Sequence, residues 1–209
     1  MDWEKRLQAQ GVNYIAGVDE AGRGPLAGPV AAGAVILPVG FIFADIKDSK
    51  KLSPASRLIL AEEIKKKCVA WAVGWASVAE IDSLNILAAT RLAMRRALEG
   101  LKVRPQHVLT DAVNLPGLKI PVTPLVDGDN LSASIAAASI LAKVARDELM
   151  QVYDSLFPGY GFSRHKGYAT PDHREAIRKY GMSLLHRRSF VGLGLKNNFL
   201  KRDLLKCSE

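Results

Sequence analysis

A short apolar run, Tyr14-Ile15-Ala16-Gly17-Val18, ends in two adjacent carboxylates, Asp19 and Glu20, and no other stretch restricts the fold as much. The run reads as a strand over about 14–19 with Asp19 at its end. Inside a strand, Asp19 and Glu20 would point to opposite faces, whereas at a strand's end the turning backbone lets both converge on one cation. The chain continues Ala21-Gly22-Arg23-Gly24-Pro25-Leu26-Ala27-Gly28-Pro29. Gly22 and Gly24 carry no Cβ, so this loop can press its main chain against a ligand. Two readings fit: a metal site beside a backbone-reading loop, or a strand end with a solvated acidic turn.

Further along, His107-Val108-Leu109-Thr110-Asp111 repeats the design of a strand ending in a carboxylate. Ile120–Val126, interrupted by Pro121 and Pro124, reads as an edge-like strand, because proline cannot donate to a ladder. Asp127-Gly128-Asp129 follows it. Val30–Leu37 and Val69–Ser77 supply two more strands, the second with Trp71, Val73 and Trp75 on one face. Residues 2–10 form a short helix or frayed arm. A helix capped by Ser53, with Pro54 at its first position, runs to about Cys68. Ser77-Val78-Ala79-Glu80 has capping-box spacing and opens a short helix. Asn85–Leu98 is a longer helix, ended by Gly100. Ser132 or Ser134 caps a helix to about Tyr153, whose Ala136-Ala137-Ala138 start allows close packing. A last helix covers about 171–180. Strands and helices in this order imply an α/β layer with a mixed sheet, and strand ends are where such sheets place ligands.

The 209 residues fit one domain, with a core over about 12–155 and a basic helical part over about 156–209. The formal net charge of +8 suits a polyanionic partner. No window approaches a membrane span, and the N-terminus mixes both charge signs without an apolar signal core, so a cytoplasmic protein is expected. Cys68 and Cys207 are far apart and in no CxxC arrangement, which suits free thiols. The four histidines lack zinc-site spacing. Gly22-Arg23-Gly24 with Gly28 matches GxGxxG only loosely, and Pro25 would remove a backbone donor. A basic surface around an acidic pocket is what a metal-dependent nuclease needs: Asp19, Glu20, Asp111 and Asp129 offer hard oxygen ligands, and lysines hold phosphates.

Six blocks carry a resemblance: the Asp19–Pro29 stretch, Asp48-Ser49-Lys50-Lys51-Leu52-Ser53, Asn85–Thr90, Ala136–Asp147, His165-Lys166-Gly167-Tyr168 and His186-Arg187-Arg188-Ser189-Phe190. In register from about residue 14 to 190, the chain resembles bacterial ribonuclease HII. The resemblance implies a ribonuclease H-like fold, a five-stranded mixed sheet flanked by helices with a helical C-terminal extension. It also implies an endonuclease acting on RNA–DNA hybrids and on duplex DNA with embedded ribonucleotides; a monomer is expected. Such an enzyme cuts 5′ to the ribonucleotide by two-metal-ion hydrolysis with Mg²⁺ or Mn²⁺.

By position, Asp19, Glu20, Asp111 and Asp129 match the metal-binding acids. Gly22-Arg23-Gly24 matches the loop whose main chain senses the ribose 2′-hydroxyl, and Tyr168 the tyrosine that packs on the following sugar. Ser49, Lys50, Lys143, Arg146 and Lys166 lie in segments that would hold phosphates. Arg187 and Arg188 read as solvated, and His165 and His186 as structural or phosphate-adjacent. Ala112 stands where the family usually has glycine, and Asp127 where it usually has a basic residue.

Overall fold

The computed structural model describes residues 3–41 and 53–191. Ser49 and Lys50 lie outside the described residues.

Five strands form one sheet in the order β3-β2-β1-β4-β5. They are β1 (Ile15–Ala21), β2 (Val30–Ile36), β3 (Ala70–Ala76), β4 (His107–Asp111) and β5 (Val122–Leu125). β1 runs antiparallel to β2, and β2 to β3, whereas β1–β4 and β4–β5 are parallel, so the sheet is mixed. β5, which contains Pro124, is the last strand in that order. The parallel β1–β4 pairing decides where the chemistry sits. Val18 lies opposite Thr110, so Asp19 and Asp111 leave that register together at the same end of the sheet.

One expectation needs correcting. β1 does not stop at Asp19 but runs on to Ala21, because β2 keeps pairing it: Asp19 faces Gly33, Glu20 faces Ala32 and Ala21 faces Ala31. The two carboxylates therefore sit where β1 has outrun its parallel neighbour β4 while its antiparallel neighbour still holds it.

Helices α1 (Trp3–Ala9), α2 (Pro54–Lys67), α3 (Val78–Leu84) and α4 (Ile86–Glu99) precede β4. The short α5 (Gly128–Leu131), the long α6 (Ala133–Leu156), and then α7 (Phe162–His165), α8 (Pro171–Tyr180) and α9 (Arg188–Val191) follow β5. Local chemistry explains the starts. Ser53 accepts from the Ser56 N–H with Pro54 in the first turn, Ser77 and Glu80 close a complete capping box, and Ser132 accepts from Ile135 N–H.

Helices press on both faces of the sheet, and glycine marks the closest approaches. A Cβ on Gly17 would lie 2.0 Å from the carbonyl carbon of Ser134, and one on Gly33 2.3 Å from the Ala138 oxygen, so α6 rests directly on β1 and β2. On β3, a Cβ on Gly74 would meet the Ala93 oxygen of α4 at 2.2 Å. The larger apolar cluster joins β1–β4 to α4 through Val18, Ile36, Met94 and Val108, and a second joins α2 to α6 through Leu60, Ile64 and Leu141. Each such side chain, fully buried, contributes roughly 1.5–3 kcal/mol. The tryptophans of β3 face away from this core: the inward positions are Ala70, Ala72, Gly74 and Ala76, while Trp71 is half-exposed beneath the Lys65 ammonium.

The stretch after Phe157 has a small core of its own. Tyr160, Phe162, Ala176 and Met150 pack with Ala27, so the glycine-rich loop after β1 is part of that core.

Candidate active site

Asp19 is 6% exposed. Its Oδ1 accepts from the Glu20 N–H at 2.7 Å, and the Ser139 side chain of α6 also bonds it. Burial, reinforced by the negative charge of Glu20, pushes its pKa up to about 8. Glu20 is raised too, mainly by burial, with Arg23 pulling the other way through an Nη1–Oε1 contact of 3.1 Å. Its other oxygen, Oε2, is buried without a hydrogen-bond partner. The charge of Asp111 is felt at both Asp19 and Glu20. Asp111 Oδ1 accepts from the Gly128 N–H at 2.9 Å, which ties the end of β4 to α5, the helix that carries Asp129.

Asp129 is 7% exposed, whereas Asp127 is an exposed residue in left-handed backbone (φ 58°). That contrast favours Asp129 as the fourth acid and Asp127 as a turn residue. Ala112, beside Asp111, also adopts positive φ (51°), so the glycine-to-alanine departure is accommodated in a conformation that costs an L-residue roughly 1–2 kcal/mol.

Asp19 and Glu20 both feel the charge of Asp111, but among the described residues no three Asp, Glu, His or Cys side chains form a ready-made metal cage. The donor set nonetheless suits a hard divalent cation. All four groups are carboxylates, Glu20 Oε2 is buried and unsatisfied, and Mg²⁺ needs only a few protein ligands beside waters and phosphate.

Beside Glu20 opens a cavity of about 410 Å³ whose walls include Gly22, Arg23, Gly24, Ser139, Lys143 and Tyr168. Arg57 of α2 also reaches it, a residue that sequence reasoning did not single out. Tyr168 is 46% exposed and packs beside Gly24, whose added Cβ would lie 3.6 Å from the ring. Lys143 lines the cavity while paired with Asp147 at 2.7 Å. Lys166 is not among the lining residues and donates to the Ser163 carbonyl at 2.7 Å.

Beneath the loop lie two buried arginines. Arg187 is fully buried, which corrects the expectation that it is solvated. Its guanidinium donates to the carbonyls of Gly22 (2.6 Å), Arg23 (2.9 Å) and Gly28 (2.9 Å from Nε and 2.8 Å from Nη2). Burial and the neighbouring Arg146 charge bring its pKa down to about 9, still protonated at neutral pH. Arg146, 1% exposed, borders the cavity, but its guanidinium donates to the carbonyls of Pro29 (3.0 Å) and Ala27 (3.1 Å). It therefore supports the loop from behind, where a phosphate-holding role was expected. A Cβ on Gly22, whose φ is +96°, would lie 2.1 Å from Arg146 Nε. No local pattern distinguishes Arg187 from Arg188. The only available signal was its place in the His-Arg-Arg-Ser-Phe block.

The loop is also stitched to the C-terminal part: Leu26 N–H donates to Gly167 O, Gly28 N–H to Leu185 O and Arg187 N–H to Leu26 O, each at 2.8 Å. His165, His173 and His186 are structural. Ser183 N–H donates to His186 Nδ1, leaving its Nε2–H to donate to His173 Nε2 at 3.1 Å, while His173 Nδ1–H donates to the Tyr168 carbonyl at 2.9 Å.

Comparison with known proteins agrees with this geometry. The sequence model described as Ribonuclease HII matches residues 16–192. A ribonuclease HII of Moorella thermoacetica is 68% identical over 188 residues, covering 90% of this chain and 91% of that protein. One from Desulfitobacterium hafniense is 58% identical, covering 90% of this chain and 72% of that protein. The crystal structure of ribonuclease H2 from Pyrococcus horikoshii superposes with a TM-score of 0.73 at 26% identity, covering 84% of this chain and 93% of that one. With its five-stranded mixed sheet, its strand-end carboxylates and the arginine-backed glycine loop beside them, the chain belongs to the ribonuclease HII family.

Proposed function

We propose that this ribonuclease H hydrolase cuts the RNA strand of RNA–DNA hybrids and cleaves duplex DNA 5′ to a single embedded ribonucleotide, leaving 5′-phosphate and 3′-hydroxyl ends. The observation that carries the reading is the juxtaposition of Asp19, Glu20 and Asp111 with a loop whose carbonyls are pinned from behind.

Asp19, Glu20, Asp111 and Asp129 are the residues that would hold two divalent cations, Mg²⁺ or Mn²⁺. When bound, such cations activate water and stabilise the leaving oxygen of a phosphodiester. The protein's own groups do the rest. Gly22-Arg23-Gly24 presents main chain, not side chains, to the sugar, and the 2′-hydroxyl is what separates RNA from DNA. Tyr168, half-exposed beside Gly24, offers its ring to the next sugar, where a missing hydroxyl leaves room to pack. Lys143 and Arg57 supply positive charge along the cavity, and Ser49, Lys50 and Lys166 are further phosphate contacts proposed from their sequence blocks. The Arg23–Glu20 pair engages Oε1 and would leave the buried Oε2 for a cation.

The chain is further read as one catalytic domain acting as a monomer in the cytoplasm. Among the described residues no helix is long and apolar enough to cross a membrane.

A duplex with one ribonucleotide tests the specificity. Mg²⁺-dependent cutting at its 5′ side, abolished by chelator, is the expected result. Cutting only within runs of ribonucleotides would overturn the single-ribonucleotide reading, and no cutting at all would make the chain a silent binding domain.

A further inference from the structure

The N-terminal helix carries a half-buried acid, its Oε2 enclosed, that none of the chemistry above uses. Glu4 lies before the family match, which begins at residue 16. Helix α1 is packed in place, correcting the alternative of a frayed arm. Leu7 joins Ile15, Leu109, Leu125 and Ile135 in one apolar cluster, with Trp3 against it. From this position Glu4 reaches 130 residues along the chain. Its Oε1 accepts from the Ser132 hydroxyl (2.6 Å), the Ser134 N–H (2.9 Å) and the Ser134 hydroxyl (2.8 Å), while Oε2 is buried without a partner.

These contacts continue into the acid cluster. Ser132 N–H donates to the Gly128 carbonyl at 2.8 Å, and Gly128 N–H donates to Asp111 Oδ1 at 2.9 Å. Asp129 is the residue between, in the single turn of α5 that ends on Ser132. One turn of helix has too few internal hydrogen bonds to fix its own orientation. Its placement has to come from what holds its two ends. The Asp111 carboxylate holds one end, and Ser132, gripped by Glu4, holds the other.

We propose that Glu4 is a positioning residue for the divalent-cation site: by fixing Ser132 and Ser134 it sets the seat of α5, and with it Asp129 and the Gly128–Asp111 bond. The inference rests on the reading of Asp111 and Asp129 as cation ligands. Groups that orient a ligand without touching the ion typically change metal affinity about 10–100-fold when removed. The grip is made by hydrogen bonds to an acceptor oxygen, so the carbonyl oxygen of glutamine in its place supplies most of the effect. Loss of the side chain supplies none.

The experiment is a calorimetric titration of Mn²⁺ into the full chain without nucleic acid, with KM for an RNA–DNA hybrid measured alongside. Glu4→Ala is expected to weaken Mn²⁺ binding roughly tenfold, with KM for the hybrid unchanged, and Glu4→Gln to restore binding to within about threefold of the parent. A Glu4→Ala protein that melts lower yet binds Mn²⁺ as the parent does would reduce Glu4 to a structural clasp and overturn the proposal. So would a Glu4→Gln protein as weak as Glu4→Ala. Should Glu4→Ala fail to fold, Ser134→Ala, which removes one of the three donors, carries the same comparison. A shift of about threefold is expected there, and none would overturn the proposal. Asp129→Asn belongs in the same series. If it binds Mn²⁺ with parental strength, the cation reading itself fails, whereas weakened Asp129→Asn beside unchanged Glu4→Ala removes only the positioning role.

Discussion

The two halves of the active site are held by opposite means. On the loop side, the carbonyls of Gly22, Arg23, Ala27, Gly28 and Pro29 all accept from two buried guanidiniums, and the neighbouring amides of Leu26 and Gly28 are bonded to the C-terminal part. On the acid side, carboxylates are gathered under mutual repulsion, with Asp19 driven toward its neutral form and Glu20 Oε2 unsatisfied. The loop is complete without substrate. Under the proposed function, the acids are complete only with cations. Shape recognition rewards a surface that does not move, whereas charge recognition rewards one that is uncomfortable until the counter-charge arrives. Arg23, whose guanidinium reaches Glu20, supplies part of that counter-charge from the chain itself.

If the halves differ in this way, substitutions in them should move activity and stability in different directions. The largest effect belongs to the acids. Asp111→Asn is expected to lower cleavage by roughly 10³-fold or more while leaving hybrid binding intact. Full activity in that variant would remove Asp111 from the chemistry. Because Asp19 is buried beside Glu20, Asp19→Asn should abolish cleavage and yet raise the melting temperature in chelator by about 2–4 °C. A lower melting temperature there would contradict the repulsion argument.

The next effect is on the other side. Arg187→Ala strands the buried carbonyls of Gly22 and Gly28, each of which costs on the order of 1–3 kcal/mol when unsatisfied, and the partly buried one of Arg23. The melting temperature should fall by about 10 °C, a shift that a thermal unfolding scan reads directly. Gly22→Ala comes after it. A Cβ at positive φ against Arg146 should leave the fold standing but displace the loop, so the preference for a ribonucleotide over a deoxyribonucleotide falls more than overall duplex binding does.

The smallest effect concerns the histidines behind the loop. His186 is held down at about 4 by burial and by its neighbour His173, which is itself lowered and lies near His165. Between that value and the unfolded histidine's value of about 6.5, the unfolded chain binds the proton and the folded chain does not. Stability from this group is therefore complete above about pH 6.5 and is lost as pH falls toward 4. Melting curves across that range should slope downward on the acid side, and His186→Asn should flatten the slope.

Much of the fold was legible because its signals are local. Ser53-Pro54, the Ser77–Glu80 box and Pro124 on the edge strand are settled by neighbours a few residues away. The acids could be named because a carboxylate after an apolar run is conspicuous in the chain itself. What stayed hidden depends on distant partners. Arg187 and Arg188 are adjacent and of one type, yet the first is buried against carbonyls some 160 positions earlier while the N–H of the second bonds Asp82. Arg146 reads as a phosphate contact from its position in the Ala136–Asp147 block, and only the packed loop shows where its donors point. The end of β1 was misplaced for a related reason: the pairing that extends it to Ala21 comes from β2, not from its own residues.

The most direct test of the division is a binding measurement in chelator, where nothing is cut. The affinity for a duplex with one ribonucleotide is compared with that for the all-DNA duplex, in Asp111→Asn and in Gly22→Ala. The account predicts that Asp111→Asn keeps the preference for the ribonucleotide and that Gly22→Ala loses it. A Gly22→Ala protein that still discriminates, or an Asp111→Asn protein that does not, would contradict it.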